Sequence, residues 1–149
     1  MITKIYDTSS LLLLSEELFN TSEKIVVTSV TLQELENIKV STNKDANIKY
    51  AARQLLRLLD EYPDKYICEL YLSSYEKMLN KHNLEVTNDT RILVTAYQYK
   101  INHPKEEVMF CTNDLALKRI AEIFFLKQNI TSIKKEEDTY TGYVDFYLD

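Results

Sequence analysis

Four acidic residues lie near the ends of predicted strands or in the first turns of predicted helices. Asp7 and Asp114 directly follow strands, and Glu34 and Asp89 lie in the first turns of helices. Taken singly, each has a better structural explanation, as a helix cap, a dipole partner or part of a capping box, worth about 1 kcal/mol. Taken together, all four would fall at the carboxyl ends of parallel strands, which is where α/β sheets bind ligands. The joint pattern therefore predicts one carboxylate cluster.

A carboxylate cluster of this kind is suited to binding a divalent cation, because like charges repel one another unless something neutralises them. No His or Cys joins the four acids, which favours Mg²⁺ or Mn²⁺ over Zn²⁺. Such an ion lowers the pKa of a bound water and neutralises charge on a phosphate, so phosphodiester hydrolysis is the chemistry that fits. Thr112 is the one non-acidic candidate, since its hydroxyl could orient a carboxylate or a metal-bound water.

The elements that would position the acids alternate between strands and helices. Apolar, β-branched runs predict strands at 2–6, 24–28, 66–72, 107–111 and 130–133. Helical spacing predicts helices at 8–20, 31–39, 45–62, 88–101 and 113–127, with a short helix or loop at 74–81. This order predicts an α/β fold whose central, mostly parallel sheet is covered on both faces.

Composition narrows the possible classes of protein. With 149 residues and a single Gly, the chain fits one domain and contains neither Gly-rich phosphate-binding motif. No apolar run approaches the ~18 residues that span a bilayer, so we expect a soluble, cytoplasmic protein without membrane contact, and Cys68 and Cys111 as buried, reduced thiols. The net charge of −5 decides little about nucleic-acid binding, because several acids would be neutralised by metal.

At four segments the sequence resembles the PIN domain family. The motifs are Asp7-Thr8-Ser9, Glu34-Leu35 to Lys39, Asn88-Asp89 to Ile92 and Thr112-Asn113-Asp114 to Leu117. The Asn-Asp and Thr-Asn-Asp forms look most like PIN domains that precede a PhoH-type ATPase, as does the segment from Tyr140 to Tyr143. That ATPase domain is absent from this chain, so we expect a free-standing PIN protein or a fragment of a longer one.

The resemblance implies a three-layer α/β/α sandwich that cleaves single-stranded RNA with Mg²⁺ or Mn²⁺. It implies that Asp7, Glu34, Asp89 and Asp114 hold the metal and that Thr112, with Ser9 or Asn113, orients them. Ser9, Asn113, Lys49 and Arg53 are the candidate substrate contacts, although a solvated helix face explains Lys49 and Arg53 equally well. We expect the nuclease domain to span 1–135, a polar tail to span 136–149, and the chain to be able to pair as a homodimer.

The sequence leaves two alternative functions open. The chain could be a catalytically silent PIN-fold module that binds RNA or a protein partner. It could also be a phosphoacceptor or phosphatase-like domain with Asp7 as nucleophile, but Ser9 occupies the place of the second Asp expected after the first strand.

Overall fold

The computed structural model describes residues 2–20, 23–128, 133–138 and 143–148, with side chains in the first two ranges and backbone in the last two. Its strands form one sheet in the order β3-β2-β1-β4-β6-β5. The first four of these neighbours run parallel, and β6 pairs antiparallel with both β4 and β5. The strands are β1 Ile2–Tyr6, β2 Lys24–Thr28, β3 Tyr66–Glu69, β4 Glu107–Thr112, β5 Ile133–Asp138 and β6 Tyr143–Leu148.

Helices follow the parallel strands and cover both faces of the sheet. Alternate strand residues divide between two hydrophobic clusters, since Val26 and Phe110 belong to one while Ile25 and Met109 belong to the other. The prediction of a three-layer α/β/α fold is therefore confirmed. The α-helices of the described ranges are α1 Thr8–Leu14, α2 Ser29–Val40, α3 Ala46–Glu61, α4 Glu76–Lys81, α5 Asn88–Asn102 and α6 Leu115–Lys127, with 3₁₀ turns at Ser15–Phe19, Pro63–Lys65 and Ser73–Tyr75.

The element boundaries differ from the predictions where local backbone geometry intervenes. The first helix ends at Leu14 and not at Asn20, because Ser15 adopts φ 47°, which an α-helix cannot accommodate. The third strand ends at Glu69 and not at Leu72. Of the strand predicted at 130–133, residues 130–132 lie outside the described residues and Ile133 begins β5.

The segment expected to be a tail contributes backbone to the sheet. Residues 136–138 lie in β5 and residues 143–148 form β6. Tyr140, Thr141 and Gly142, which supported part of the family resemblance, lie outside the described residues. The domain boundary between 135 and 136 stays a prediction.

The two cysteines differ in environment. Both are free thiols, but Cys68 is exposed and only Cys111 is buried. The prediction of a buried Cys68 is wrong because β3 is the edge strand next to β2, and helices cover it less completely than they cover the central strands. In the part of the chain that the structure describes, no helix combines the length and apolar character needed to cross a membrane.

Candidate functional site

Asp7 and Asp114 lie at the same edge of the sheet, where β1 and β4 end side by side. Tyr6 and Cys111 are register partners in these parallel strands, and the Asp7 N–H donates a hydrogen bond to the Cys111 carbonyl at 3.1 Å. The chain leaves β4 after Thr112 and reaches Asp114 two residues later. Adjacent parallel strands thus bring together acids that are more than one hundred residues apart in the sequence.

Thr112 connects these two acids directly. Its hydroxyl donates a hydrogen bond to Asp7 Oδ2 at 2.6 Å and accepts one from the Asp114 N–H at 3.1 Å. Thr112 is fully buried and Asp7 is only 2% exposed, so water cannot replace these contacts. Thr112 thus holds one oxygen of Asp7 in place, and its role in catalysis stays a prediction.

Asp7 and Asp114 are also helix caps. Asp7 Oδ1 accepts from the Ser10 N–H at 2.9 Å, and Asp114 Oδ1 accepts from the Leu117 N–H at 3.0 Å. The prediction that these two residues cap helices is therefore confirmed. A carboxylate has about four acceptor positions. Capping occupies one of them in each residue and the Thr112 hydroxyl occupies a second in Asp7, so both residues retain acceptor capacity.

Glu34 does not form the capping box that its sequence context suggests. Helix α2 begins at Ser29, and Thr28 caps it by accepting from the Thr31 N–H, which places Glu34 in the second turn. Instead, the Thr8 hydroxyl donates to Glu34 Oε1 at 2.8 Å, and this bond links the start of α1 to α2. Glu34 is thus held toward the carboxyl end of β1.

Asp89 is likewise not needed as a cap. Helix α5 begins at Asn88 and is closed by a reciprocal capping box between Thr87 and Thr90. Burial raises the pKa of Asp89, and the charges of Asp114 and Asp7 raise it further. The carboxylate therefore lies close enough to both residues to be affected by their charge, and within residues 2–20 and 23–128 no backbone N–H donates a hydrogen bond to it.

Glu34 belongs to the same electrostatic group. Burial raises its pKa, the hydrogen bond from Thr8 lowers it in part, and the charges of Asp89 and Asp7 raise it again. Within residues 2–20 and 23–128, none of the four acids forms an ion pair with a Lys or Arg. This edge of the sheet, which we call the acidic edge (Asp7, Glu34, Asp89 and Asp114), therefore has no Lys or Arg ion-paired to its carboxylates in that part of the chain.

The oxygen donors of the acidic edge fit a hard divalent cation. Among the residues that the structure describes, no three Asp, Glu, His or Cys side chains converge into a ready-made coordination group. Mg²⁺ does not require one, because it usually retains several waters and binds through one or two carboxylates plus substrate phosphates. The donor chemistry of the acidic edge thus suits Mg²⁺ or Mn²⁺ with part of the hydration shell retained.

The other predicted site residues divide into two groups. The Ser9 hydroxyl donates to Asn113 Oδ1 at 2.7 Å, so these two residues join the loops that carry Asp7 and Asp114. Lys49 and Arg53 lie on α3, half-buried and exposed respectively, and no described hydrogen bond or ion pair connects them to the acids. A substrate contact by Lys49 or Arg53 stays a prediction.

Two residues at the site were not among the sequence candidates. Thr8 donates a hydrogen bond to Glu34, and the nearby Asn88 side chain lowers the pKa of Glu34 in part. Both residues adjoin a predicted metal ligand, so their positions beside Asp7 and Asp89 were the available signal. Their direction toward Glu34 depends on how α1, α2 and α5 pack.

Comparison with known proteins supports a single assignment. No curated protein and no solved structure matches the chain. A family model described as a PIN domain matches residues 4–128, a span that includes all four acids of the acidic edge. That description specifies no subtype, so the likeness to PIN domains that precede a PhoH-type ATPase stays a prediction. The chain belongs to the PIN domain family.

Proposed function

We propose that this protein is a metal-dependent endoribonuclease that hydrolyses phosphodiester bonds in single-stranded RNA. PIN domains are generally nucleases, which supports the hydrolase class. The observation that carries the proposal is the pairing of Asp7 with the Asp114 turn through the buried Thr112 hydroxyl. Glu34 and Asp89 are coupled electrostatically to this pair.

The residues of the acidic edge have separate tasks in this proposal. Asp7, Glu34, Asp89 and Asp114 would hold Mg²⁺ or Mn²⁺, which when bound lowers the pKa of a water and neutralises phosphate charge. Thr112 fixes one oxygen of Asp7 by donating to it. The Ser10 N–H fixes the other oxygen, so the Asp7 carboxylate cannot rotate freely.

Glu34 is held by a corresponding arrangement on the other side of Asp7. Thr8 donates to one carboxylate oxygen of Glu34 and so limits its rotamers. Side chains held in this way need little rearrangement when a substrate binds, which favours electrostatic stabilisation of the reacting phosphate. By family resemblance, cleavage would leave a 3′-hydroxyl and a 5′-phosphate.

The test is Mn²⁺-dependent cleavage of a fluorescent single-stranded RNA by the wild type and by Asp7→Asn and Asp89→Asn. Both variants should lose at least about 100-fold in rate. Asn is among the preferred N-cap residues, so Asp7→Asn retains the cap of α1 and isolates the charge. Glu106→Gln is the matched control, because it neutralises an acid at the opposite edge of the sheet and should retain the wild-type rate.

Full activity in both site variants, or cleavage that EDTA does not reduce, would overturn the proposal. A single-stranded DNA of the same sequence, assayed in parallel, tests the RNA preference separately from the nuclease activity. Equal cleavage of both polymers would leave the nuclease and remove the restriction to RNA.

A catalytically silent PIN-fold module that binds RNA or a protein is the second candidate. The observation in its favour is that no three ligating side chains converge in the described ranges. Calorimetric titration with Mn²⁺ distinguishes the two functions. Absence of binding to the folded wild-type chain would favour the silent module.

A further inference from the structure

A pocket lies next to the acidic edge, outside the carboxyl ends of β2 and β3. Its volume is about 430 Å³, and the residues that matter here are Ser29, Gln33, Tyr71, Glu76, Asn88 and Arg91. Ser29 is the first residue of α2 after β2, Tyr71 follows β3, and Asn88 directly precedes Asp89. A single strand that passes the acids could therefore continue into this pocket.

The walls of the pocket are held in place before any ligand binds. The Tyr71 N–H donates to Ser29 Oγ at 2.9 Å, which fixes the segment after β3 against the start of α2. The Arg91 guanidinium lies 5.8 Å from the centre of the Tyr71 ring, and Arg91 Nη1 donates to Asn88 Oδ1 at 3.1 Å. The aromatic ring and the planar cation thus form one preorganised wall.

The chemistry of these groups matches a nucleobase better than an isolated phosphate. Unpaired bases stack on aromatic rings and on Arg guanidinium planes, and their edges hydrogen-bond to amides and carboxylates such as those of Gln33 and Glu76. The Glu76 carboxylate would repel an isolated phosphate. Arg91 forms no ion pair with Glu76 or with any other carboxylate in the described part of the chain. The volume also falls in the range of small-molecule sites.

We propose that this pocket, the Tyr71–Arg91 pocket, binds the base of an unpaired nucleotide adjoining the phosphate at the acidic edge. The identity of that phosphate as the one cleaved rests on the proposed nuclease function, whereas binding of the base does not. A paired base cannot enter this pocket. The chain would therefore prefer single strands for a physical reason.

The test measures binding by fluorescence anisotropy in EDTA, where metal-dependent cleavage is blocked. The probes are a fluorescein-labelled single-stranded RNA of eight nucleotides and an abasic ribose-phosphate oligomer of the same length. Arg91→Ala and Tyr71→Ala should each weaken binding of the RNA about tenfold, which corresponds to the loss of one base-stacking contact. Both variants should bind the abasic oligomer within twofold of the wild type.

Matched variants separate the pocket from general charge effects. Tyr71→Phe retains the ring and should bind like the wild type, and Arg57→Ala removes an exposed cation from α3 and should also have no effect. Circular dichroism checks folding. If Tyr71→Ala does not fold, Arg91→Ala still tests the pocket. An Ala at position 91 keeps the hydrogen bonds that the Arg91 backbone N–H and carbonyl form within α5.

The outcomes distinguish this proposal from the nuclease proposal. RNA binding within twofold of the wild type in both alanine variants would overturn the pocket, as would an equal loss toward the abasic oligomer. Base-dependent binding by a chain that does not cleave RNA with Mn²⁺ would retain the pocket and remove the nuclease. If cleavage depends on Asp89 but RNA binding is unchanged in the Tyr71 and Arg91 variants, the nuclease proposal stands and the pocket proposal is wrong.

Discussion

The pKa values of acidic residues are shifted in opposite directions at the two edges of the parallel sheet. At the amino edge, Glu106 lies just before β4 and is surrounded by donors: Lys24 Nζ at 2.7 Å, the Tyr99 hydroxyl at 2.9 Å and the Thr3 hydroxyl at 3.0 Å. Burial alone would raise the pKa of Glu106, but the hydrogen bonds from Lys24, Tyr99 and Thr3 lower it below its ordinary value. This carboxylate is stabilised in its charged form.

At the acidic edge, no Lys or Arg of residues 2–20 and 23–128 forms an ion pair with the carboxylates. Burial and neighbouring carboxylates raise the pKa of both Glu34 and Asp89. The same sheet therefore stabilises the charge of Glu106 at one edge and disfavours the charges of Glu34 and Asp89 at the other. The raised pKa values of Glu34 and Asp89 agree with the proposed metal site, where a bound cation would supply positive charge.

Of the variants that test the difference between the two edges, Thr112→Val should have the largest effect, which is a loss of affinity for Mn²⁺. The variant removes the donor to Asp7 and the acceptor for the Asp114 N–H inside the core, so Mn²⁺ affinity should fall about 10–100-fold. Thr112→Ser retains the hydroxyl and should bind Mn²⁺ almost like the wild type. Calorimetric titration checks both variants. A Thr112→Val protein with wild-type affinity would mean that the link between the two acids has no part in holding metal.

A smaller effect is expected from Asp89→Asn in EDTA. Because the folded state raises the pKa of Asp89, the charged form costs stability at pH 7, and its removal should raise the Tm by roughly 2–4 °C. Solvent screening of this half-buried side chain and the lost helix-dipole contact limit the gain to about 1 kcal/mol.

The pH dependence of this gain follows from the direction of the shift. The stabilisation from a protonated Asp89 is present below its ordinary pKa of 3.8 and is lost as the pH rises through the raised value. The advantage of Asp89→Asn should therefore disappear as the pH approaches 3.8. Differential scanning calorimetry from pH 3.5 to 7 measures this, and an unchanged or lower Tm at pH 7 would instead support a purely structural role for Asp89.

The smallest effect, of opposite sign, is expected from Glu106→Gln. The lowered pKa of Glu106 means that its contribution is present above 4.5 and is lost as the pH falls through the folded value. At pH 7 the variant should lose about 0.5 kcal/mol, because both partners of the Lys24 ion pair are partly exposed. Urea denaturation at pH 7 and pH 3 checks the difference, and a gain in stability at pH 7 would erase the contrast between the edges.

Much of the fold was predictable from local sequence patterns. The strands Ile2–Tyr6 and Lys24–Thr28 agree with their predicted limits, because runs rich in β-branched residues that end at a polar residue leave little ambiguity. Helix α2 began earlier than predicted, since Thr28 acts as the cap at the last position of its strand. The positive φ of Ser15 had no clear sequence signal, because the apolar pattern continues beyond it.

The sequence by itself determined the alternation of strands and helices and the position of Asp7 and Asp114 just after two strands, because both depend on contacts within a few residues. Only the tertiary structure decided that Thr8 turns to Glu34 and that Thr112 joins Asp7 to Asp114. Only it, too, placed Tyr71 beside Arg91. These contacts join segments whose separation in the chain gives no local preference, so they follow from strand order and helix packing.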